Sequence, residues 1–247
     1  MSNRSIHTLL KNWDEECPLT REEAVEVLNL PEEEMDSLME CAYALRTKYK
    51  GKKVSVQLLT NVRSGNCTQN CAYCAQSKDS QAEIEKYKRV SDEKLYGDND
   101  LVDEKHLARH CIGLSGIGFS DEEIEDLADR IREMKKKDTQ ICCSIGFLTE
   151  KQARILKDAG LDRINHNLNS SRSFYPEICT THTYDQRVNN IKMLQSLGFE
   201  ICSGGIVGMG ESKEDIVDML MDLREINPES VPINFLEQNW QTVISLN

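Results

Sequence analysis

The chain has 247 residues, 39% of them hydrophobic and 29% charged, with a formal net charge of −12. That length suits one domain with a sizeable core plus a small extension, and the acidic excess argues against nucleic acid or an anionic membrane surface as a partner, because both would repel it. No apolar run is long enough to span a membrane and the opening MSNRSIHTLLKNW lacks the core of a signal peptide, so a cytoplasmic location is expected.

Residues 1–50 read as an N-terminal helical extension. LTREEAVEVLNL has an acidic first turn after Thr20, and PEEEMDSLMECAYALRTKYK restarts at Pro31, a favourable first-turn residue. From 51 to 237 the pattern changes to strand-then-helix units. Strands are predicted over 54–61, 109–116, 140–147, 163–169, 200–208 and 230–237. Amphipathic charged stretches at 120–137, 149–160 and 212–226 lie between them, each with Ser or Thr near its start as a cap, and a further helix begins near Thr183. The run YGDNDLVDEK (96–105) reads as an exposed connection. Residues 238–247 are a divergent tail. The alternation makes the class α/β with a parallel sheet, either doubly wound or a TIM-type (β/α) barrel.

Ten cysteines in a reducing compartment are better explained as metal ligands, reactive groups or small core residues than as disulfides. Three of them, Cys67, Cys71 and Cys74, crowd the stretch SGNCTQNCAYCAQS with the spacing C-x3-C-x2-C. Structural zinc asks for four closed ligands, usually as two pairs, and no second pair follows. Three thiolates suit a [4Fe-4S] cluster with one iron left open to an external molecule.

Residues two apart on a strand share a face. By that rule Cys111, Gly113 and Ser115 share one face; so do Cys142, Ser144 and Gly146, then Asn165, Asn167 and Asn169, then Cys202 and Gly204. Asn234 opposes Ile233 and Phe235. Each strand therefore has one face of thiol, amide, hydroxyl or glycine, where a plain barrel core would carry Val, Ile and Leu. Cys111, Cys142 and Cys202 each fall near a strand start, and four strand residues span roughly 13 Å. The thiols should thus form two groups at different heights, with the asparagines between and room for a small molecule. Three inward thiols at matching depth suggest a second metal site. Cys17, Cys41, Cys143 and Cys179 read as small core residues, and His166 and His182 as structural histidines. GGIVGMGES (204–212) reads as a glycine loop that lets a nucleotide-like ligand approach the backbone.

With these residues in hand, the sequence from about 50 to 236 resembles the biotin synthase family of radical S-adenosylmethionine (SAM) enzymes. SGNCTQNCAYCAQS, HCIGLSG, ICCSIGFLT, DRINHNLNSS, TTHTYDQR, CSGGIVGMGE and ESVPINFL carry the resemblance. It implies that Cys67, Cys71 and Cys74 bind the [4Fe-4S] cluster and that Tyr73, Asn167, Asn169, Arg187, Gly204, Gly205 and Glu211 contact SAM. Many relatives carry Asp at the position of Asn169. Asn165 and Asn234 would contact the substrate dethiobiotin, and Cys111, Cys142 and Cys202 would hold an auxiliary [2Fe-2S] cluster. The implied reaction is cleavage of SAM to a carbon radical, followed by sulfur insertion that turns dethiobiotin into biotin. Flavodoxin or ferredoxin would donate electrons, neither nucleic acid nor membrane would take part, and a homodimer is possible.

The family's barrel has eight strands, and an arginine from a later strand is its fourth auxiliary ligand. This sequence shows six strands and departs from the family pattern after Leu236. A truncated, open barrel is therefore expected. Two other readings stay open at this point: another radical SAM enzyme of the same group, and a non-catalytic iron–sulfur remnant.

Overall fold

The computed structural model describes residues 18–237; the predicted tail at 238–247 and Cys17 lie outside them. The described chain divides between Ser55 and Val56 into two units. In the first, helix α1 (Arg21–Leu28) starts at a capping box, where Thr20 Oγ1 accepts from Glu23 N and the Glu23 carboxylate accepts from Thr20 N. A 3-10 turn (Glu32–Glu34) then leads into α2 (Met35–Lys50), which ends at Gly51 with φ 62°. Lys48 and Lys50 in its last turn complement the helix dipole.

The second unit runs β1 (Gln57–Arg63), α3 (Asp92–Glu104), β2 (Arg109–Leu114), α4 (Asp121–Met134), β3 (Ile141–Ser144), α5 (Glu150–Asp158) and β4 (Arg163–Asn165). It continues with a short α6 (Tyr175–Ile178), α7 (Tyr184–Ser196), β5 (Glu200–Cys202), β6 (Gly205–Val207), α8 (Lys213–Ile226) and β7 (Ile233–Phe235). Strands β1 to β5 pair in chain order, all parallel, and β6 pairs with β7. A doubly wound sheet reverses its strand order at a switch point, whereas this one winds a single way, as a (β/α) barrel does. Parallel bridges Asn169–Gly205 and Cys202–Ser230 carry the pairing toward β7. Among the described residues β1 and β7 do not pair, so the barrel stays open. No helix there is long and apolar enough to cross a membrane.

Pairing register explains the two faces. Thr60, Ile112, Cys143, Ile164 and Ile201 are successive partners, and all five are buried on the helix side. Cys143 is thus the core residue its position suggested. The opposite face carries two rows, Leu59–Cys111–Cys142–Arg163–Glu200 and, above it, Asn61–Gly113–Ser144–Asn165–Cys202. Capping boxes start the helices as the sequence indicated: Ser120 with Glu123, Thr149 with Gln152, Thr183 with Gln186 and Ser212 with Asp215. Each such cap stabilises its helix by about 1 kcal/mol.

Three expectations need correction. The stretch 96–105 belongs to helix α3, capped by Ser91 and burying Leu95, Asp98, Asn99 and Val102 at helical spacing. Two of those four are polar, which hid the amphipathic pattern. They are satisfied inside, since Asp98 accepts from Thr60 Oγ1 at 2.6 Å and Asn99 Nδ2 donates to Met134 O at 3.2 Å. The first strand begins at Gln57 rather than 54. The strand predicted at 200–208 breaks into β5 and β6, because Gly204 N donates to Asn167 Oδ1 at 3.1 Å instead of continuing the ladder.

Candidate functional site

The loop after β1 is long but tied down. Gly65 (φ 69°) and Asn66 (φ 53°) turn the chain out of the strand, and Gly65 N donates to Gln76 Oε1 at 2.8 Å. Successive turns follow, with Cys74 N donating to Cys71 O at 3.1 Å and Ser77 N to Cys74 O at 3.0 Å. Lys78 N closes the loop onto Gln69 O at 2.8 Å. The loop thereby presents Cys67, Cys71 and Cys74 to one cavity of about 240 Å³.

Asn165, Asn167 and Asn169 line the same cavity from β4 and its continuation, as do Tyr73 and Arg187. Asn169 holds φ 72°, a left-handed conformation that asparagine tolerates, and donates to Tyr73 OH at 2.6 Å. The Arg187 guanidinium is the only permanent charge on this wall. It donates to Tyr175 OH and, at 3.1 Å, to Asn167 O, and it lies 5.9 Å from the centre of the Phe147 ring. Burial pushes the Tyr73 and Tyr175 hydroxyls up, Tyr175 to about 12, so both stay neutral while they accept from Asn169 and Arg187.

A second cavity of about 460 Å³ lies below, lined by Cys111, Cys142, Cys202 and Arg163. Gln76, Leu114, Ser144, Asn165 and Asn167 line both cavities, so the two share a wall. The three lower thiols reach this cavity from two pairing rows. Cys111 and Cys142 are direct partners, whereas Cys202 pairs with Asn165 one row higher and accepts from Asn165 Nδ2 at 3.2 Å. Strands of a barrel are staggered, so position along a strand does not translate into height. The neighbouring Cys142 thiol, then the Arg109 and Arg163 charges, draw Cys111 toward the thiolate. Cys142 is pushed up by that same contact and by burial. Both arginines share Glu200 Oε2, each at 3.0 Å.

Four predicted residues line neither cavity. Gly204 and Gly205 are buried, and their missing side chains make room for Pro232 O and Met219 Sδ rather than for a ligand. Glu211 shapes the following turn by accepting from Gly208 N at 2.6 Å and Met209 N at 2.7 Å. Asn234 is exposed on β7.

Sequence reasoning passed over Gln76 and gave Cys179 and His182 only structural readings. Cys179 Sγ lies 3.7 Å from Cys71 Sγ, and both residues are buried with His182. The hydrogen bond to Cys179, then burial, keep the proton on Cys71, while Cys179 is drawn down by accepting it. The available signal was the spacing of CTTH, a cysteine and a histidine three apart.

The chain matches the family model of the radical SAM superfamily over residues 61–223. It is 41% identical over 219 residues to the biotin synthase of Geobacillus kaustophilus, covering 88% of this chain and 66% of that protein. It is 40% identical to the biotin synthases of Bacillus subtilis and Rhodopirellula baltica, covering 65% and 61% of their lengths. The chain thus spans just under two-thirds of these relatives. Among solved structures, methylornithine synthase superposes with a TM-score of 0.84 at 16% identity, over 95% of this chain and 68% of that one. The [FeFe]-hydrogenase maturase of Carboxydothermus hydrogenoformans gives 0.82 at 20% identity, over 98% and 58%. Both likenesses concern the fold.

Proposed function

This chain belongs to the radical SAM superfamily, and on that premise we propose that it acts as a biotin synthase, converting dethiobiotin to biotin. One observation carries the reading: two sets of three thiols line two adjoining cavities whose common wall is polar and contains Asn165 and Asn167. A single-cluster enzyme has no need of the lower set.

The upper residues fit a [4Fe-4S] cluster and SAM. Three thiols converge on a cavity with no carboxylate in its lining, and its one charge is a guanidinium suited to a carboxylate group. The lower residues fit an auxiliary cluster, because Cys111, Cys142 and Cys202 line one cavity together with Arg163, and the Cys142 contact, then the Arg109 and Arg163 charges, draw Cys111 toward the thiolate. When bound, the upper cluster would supply the electron for SAM cleavage and the lower one the sulfur.

What the chain itself contributes is position and exclusion of water. Arg187, fixed by Tyr175 and Asn167, would hold the SAM carboxylate, with Tyr73 and Asn169 on the nucleoside side. Asn165, on the shared wall, would orient dethiobiotin between the thiol sets. An external one-electron donor of the flavodoxin or ferredoxin type would complete the system.

Anaerobic reconstitution with iron and sulfide, followed by Mössbauer spectroscopy, tests this directly. Two cluster types and biotin formed from dethiobiotin are expected. One cluster with SAM cleavage but no sulfur insertion rejects the biotin synthase reading. No SAM cleavage rejects any radical SAM activity of this chain.

A further inference from the structure

Cys71 has a second thiol against it that does not belong to its own loop. Ala72 N donates to Ile178 O at 2.9 Å, which joins the peptide after Cys71 to the peptide before Cys179. Asn70 Oδ1 accepts from Thr180 N at 3.1 Å and Thr181 N at 3.3 Å, and Asn70 Nδ2 donates to Thr180 Oγ1 at 2.7 Å. The two segments are therefore held together on both sides of the cysteines, and none of these bonds depends on a sulfur. Cys71 Sγ donates to Cys179 Sγ at 3.7 Å, although the two residues lie 108 positions apart in sequence.

A disulfide needs its sulfurs about 2.05 Å apart. Closing from 3.7 Å asks each sulfur to move by less than about 1 Å, which a χ1 swing of roughly 30° supplies while the backbone clamp stays in place. The two residues are 8% and 4% exposed, which keeps bulky oxidants out. Cys71 nevertheless lines the upper cavity of about 240 Å³, and that space admits a small one.

We propose that Cys71 and Cys179 form a reversible disulfide, a redox modification site that caps the C-x3-C-x2-C loop while it carries no cluster. The oxidant is hydrogen peroxide. The Cys71 sulfur attacks one peroxide oxygen: an S–O bond forms, the O–O bond breaks, and the thiol proton joins the departing hydroxide as water. The Cys179 sulfur then attacks the sulfenic sulfur of Cys71. The S–S bond forms, the S–OH bond breaks, and the Cys179 proton completes a second water. Two thiols thus lose two electrons, and one peroxide is reduced to two waters. A partner thiol at this distance meets the sulfenic acid before a second peroxide does, so Cys71 stops short of the irreversible sulfinic acid and a dithiol restores both thiols. With its sulfur tied to Cys179, Cys71 cannot ligate iron. That consequence alone rests on the cluster reading of Cys67, Cys71 and Cys74; the disulfide itself does not.

The test uses the reduced, metal-free full chain. It is treated anaerobically with one equivalent of hydrogen peroxide, the remaining thiols are blocked in denaturant, and tryptic peptides are mapped by mass spectrometry. Two of the ten thiols should be lost, and SGNCTQNCAYCAQSK should be joined through Cys71 to SFYPEICTTHTYDQR, whose one cysteine is Cys179. Dithiothreitol should separate the two peptides. Cys179→Ser should abolish the link, whereas C67A and C74A should keep it, and circular dichroism checks that all three variants fold. A disulfide within the loop as the main product, Cys71 as sulfinic acid beside a free Cys179, or no disulfide at all would each overturn the proposal. Iron and sulfide offered without added thiol should give cluster absorption in the reduced chain, and only background in the oxidised chain until dithiothreitol is added; equal uptake removes the capping. Failure of the reduced chain itself to take up iron counts instead against the cluster reading, and the peptide map still decides the disulfide.

Discussion

The upper and lower thiol sets reach their cavities by different routes. Cys67, Cys71 and Cys74 are close in sequence, and one tied-down loop aims all three. Cys111, Cys142 and Cys202 come from three strands, and only sheet register brings them to one cavity. A loop can assemble its donors with little help from the rest of the chain. A strand-borne set exists only while the barrel wall holds its stagger. The two ends should therefore respond differently to the same kind of damage.

The largest expected effect is at the loop. Replacing Cys67, Cys71 or Cys74 by Ala should remove the upper cluster and lower SAM cleavage by more than about 1,000-fold, since two thiolates do not retain a cubane. Iron content and methionine release measure it. Cys142→Ala should separate the two ends: biotin formation falls by more than about 100-fold while SAM cleavage stays within about 10-fold, because the lower sulfur source is lost and the upper wall is untouched. If C142A also abolishes SAM cleavage, the two sets are not independent and the comparison breaks.

Glycines give a stability version of the contrast. A Cβ on Gly146, in the upper wall, would run into the backbone of Ile117, whose carbonyl also accepts from Phe147 N at 2.7 Å. Backbone cannot swing away, so Gly146→Ala should cost about 2–3 kcal/mol in denaturant unfolding. On Gly113, in the lower wall, a Cβ would meet the Asn61 side-chain oxygen at 3.2 Å and Leu59 Cδ1 at an ordinary 3.8 Å. The Asn61 side chain can turn aside, and Gly113→Ala should cost less than about 1 kcal/mol. Equal losses at both would mean that the upper wall yields as readily as the lower.

How much was readable without coordinates follows the same division. The C-x3-C-x2-C loop was legible because its donors are adjacent in sequence, and the inward and outward faces of β2 to β5 were legible because strand periodicity fixes parity. The pairing row was not, since Cys202 sits beside Asn165 in a register that only the assembled sheet sets. Helix α3 was missed because Asp98 and Asn99 are buried polar residues paired with Thr60 and the Met134 carbonyl. Gly204 and Gly205 looked like ligand glycines, yet the space they leave is filled by Pro232 and Met219. Composition shows that a glycine is present and says nothing of what approaches it.

The smallest effect is a pH slope that should also belong to the upper end. His166 is 2% exposed, lines the upper cavity and stacks edge-on with Phe147 at 5.1 Å. Burial, then the Arg187 charge, lower its pKa from the ordinary 6.5 to about 3. The folded state thus holds this ring neutral, while the unfolded chain protonates it below pH 6.5. Stability from His166 is complete above that pH and declines as the pH falls toward about 3, by about 1.4 kcal/mol per unit at most. His166→Leu keeps the ring's apolar contacts and has nothing to protonate, so urea unfolding of this variant at pH 5 and pH 7 should show a smaller pH difference than the unaltered chain, by about 2 kcal/mol. An unchanged difference would mean that the ring is protonated or hydrogen-bonded in the folded chain. The acid sensitivity would then have to be sought at His110, lowered to about 4 by its burial on the helix side of β2.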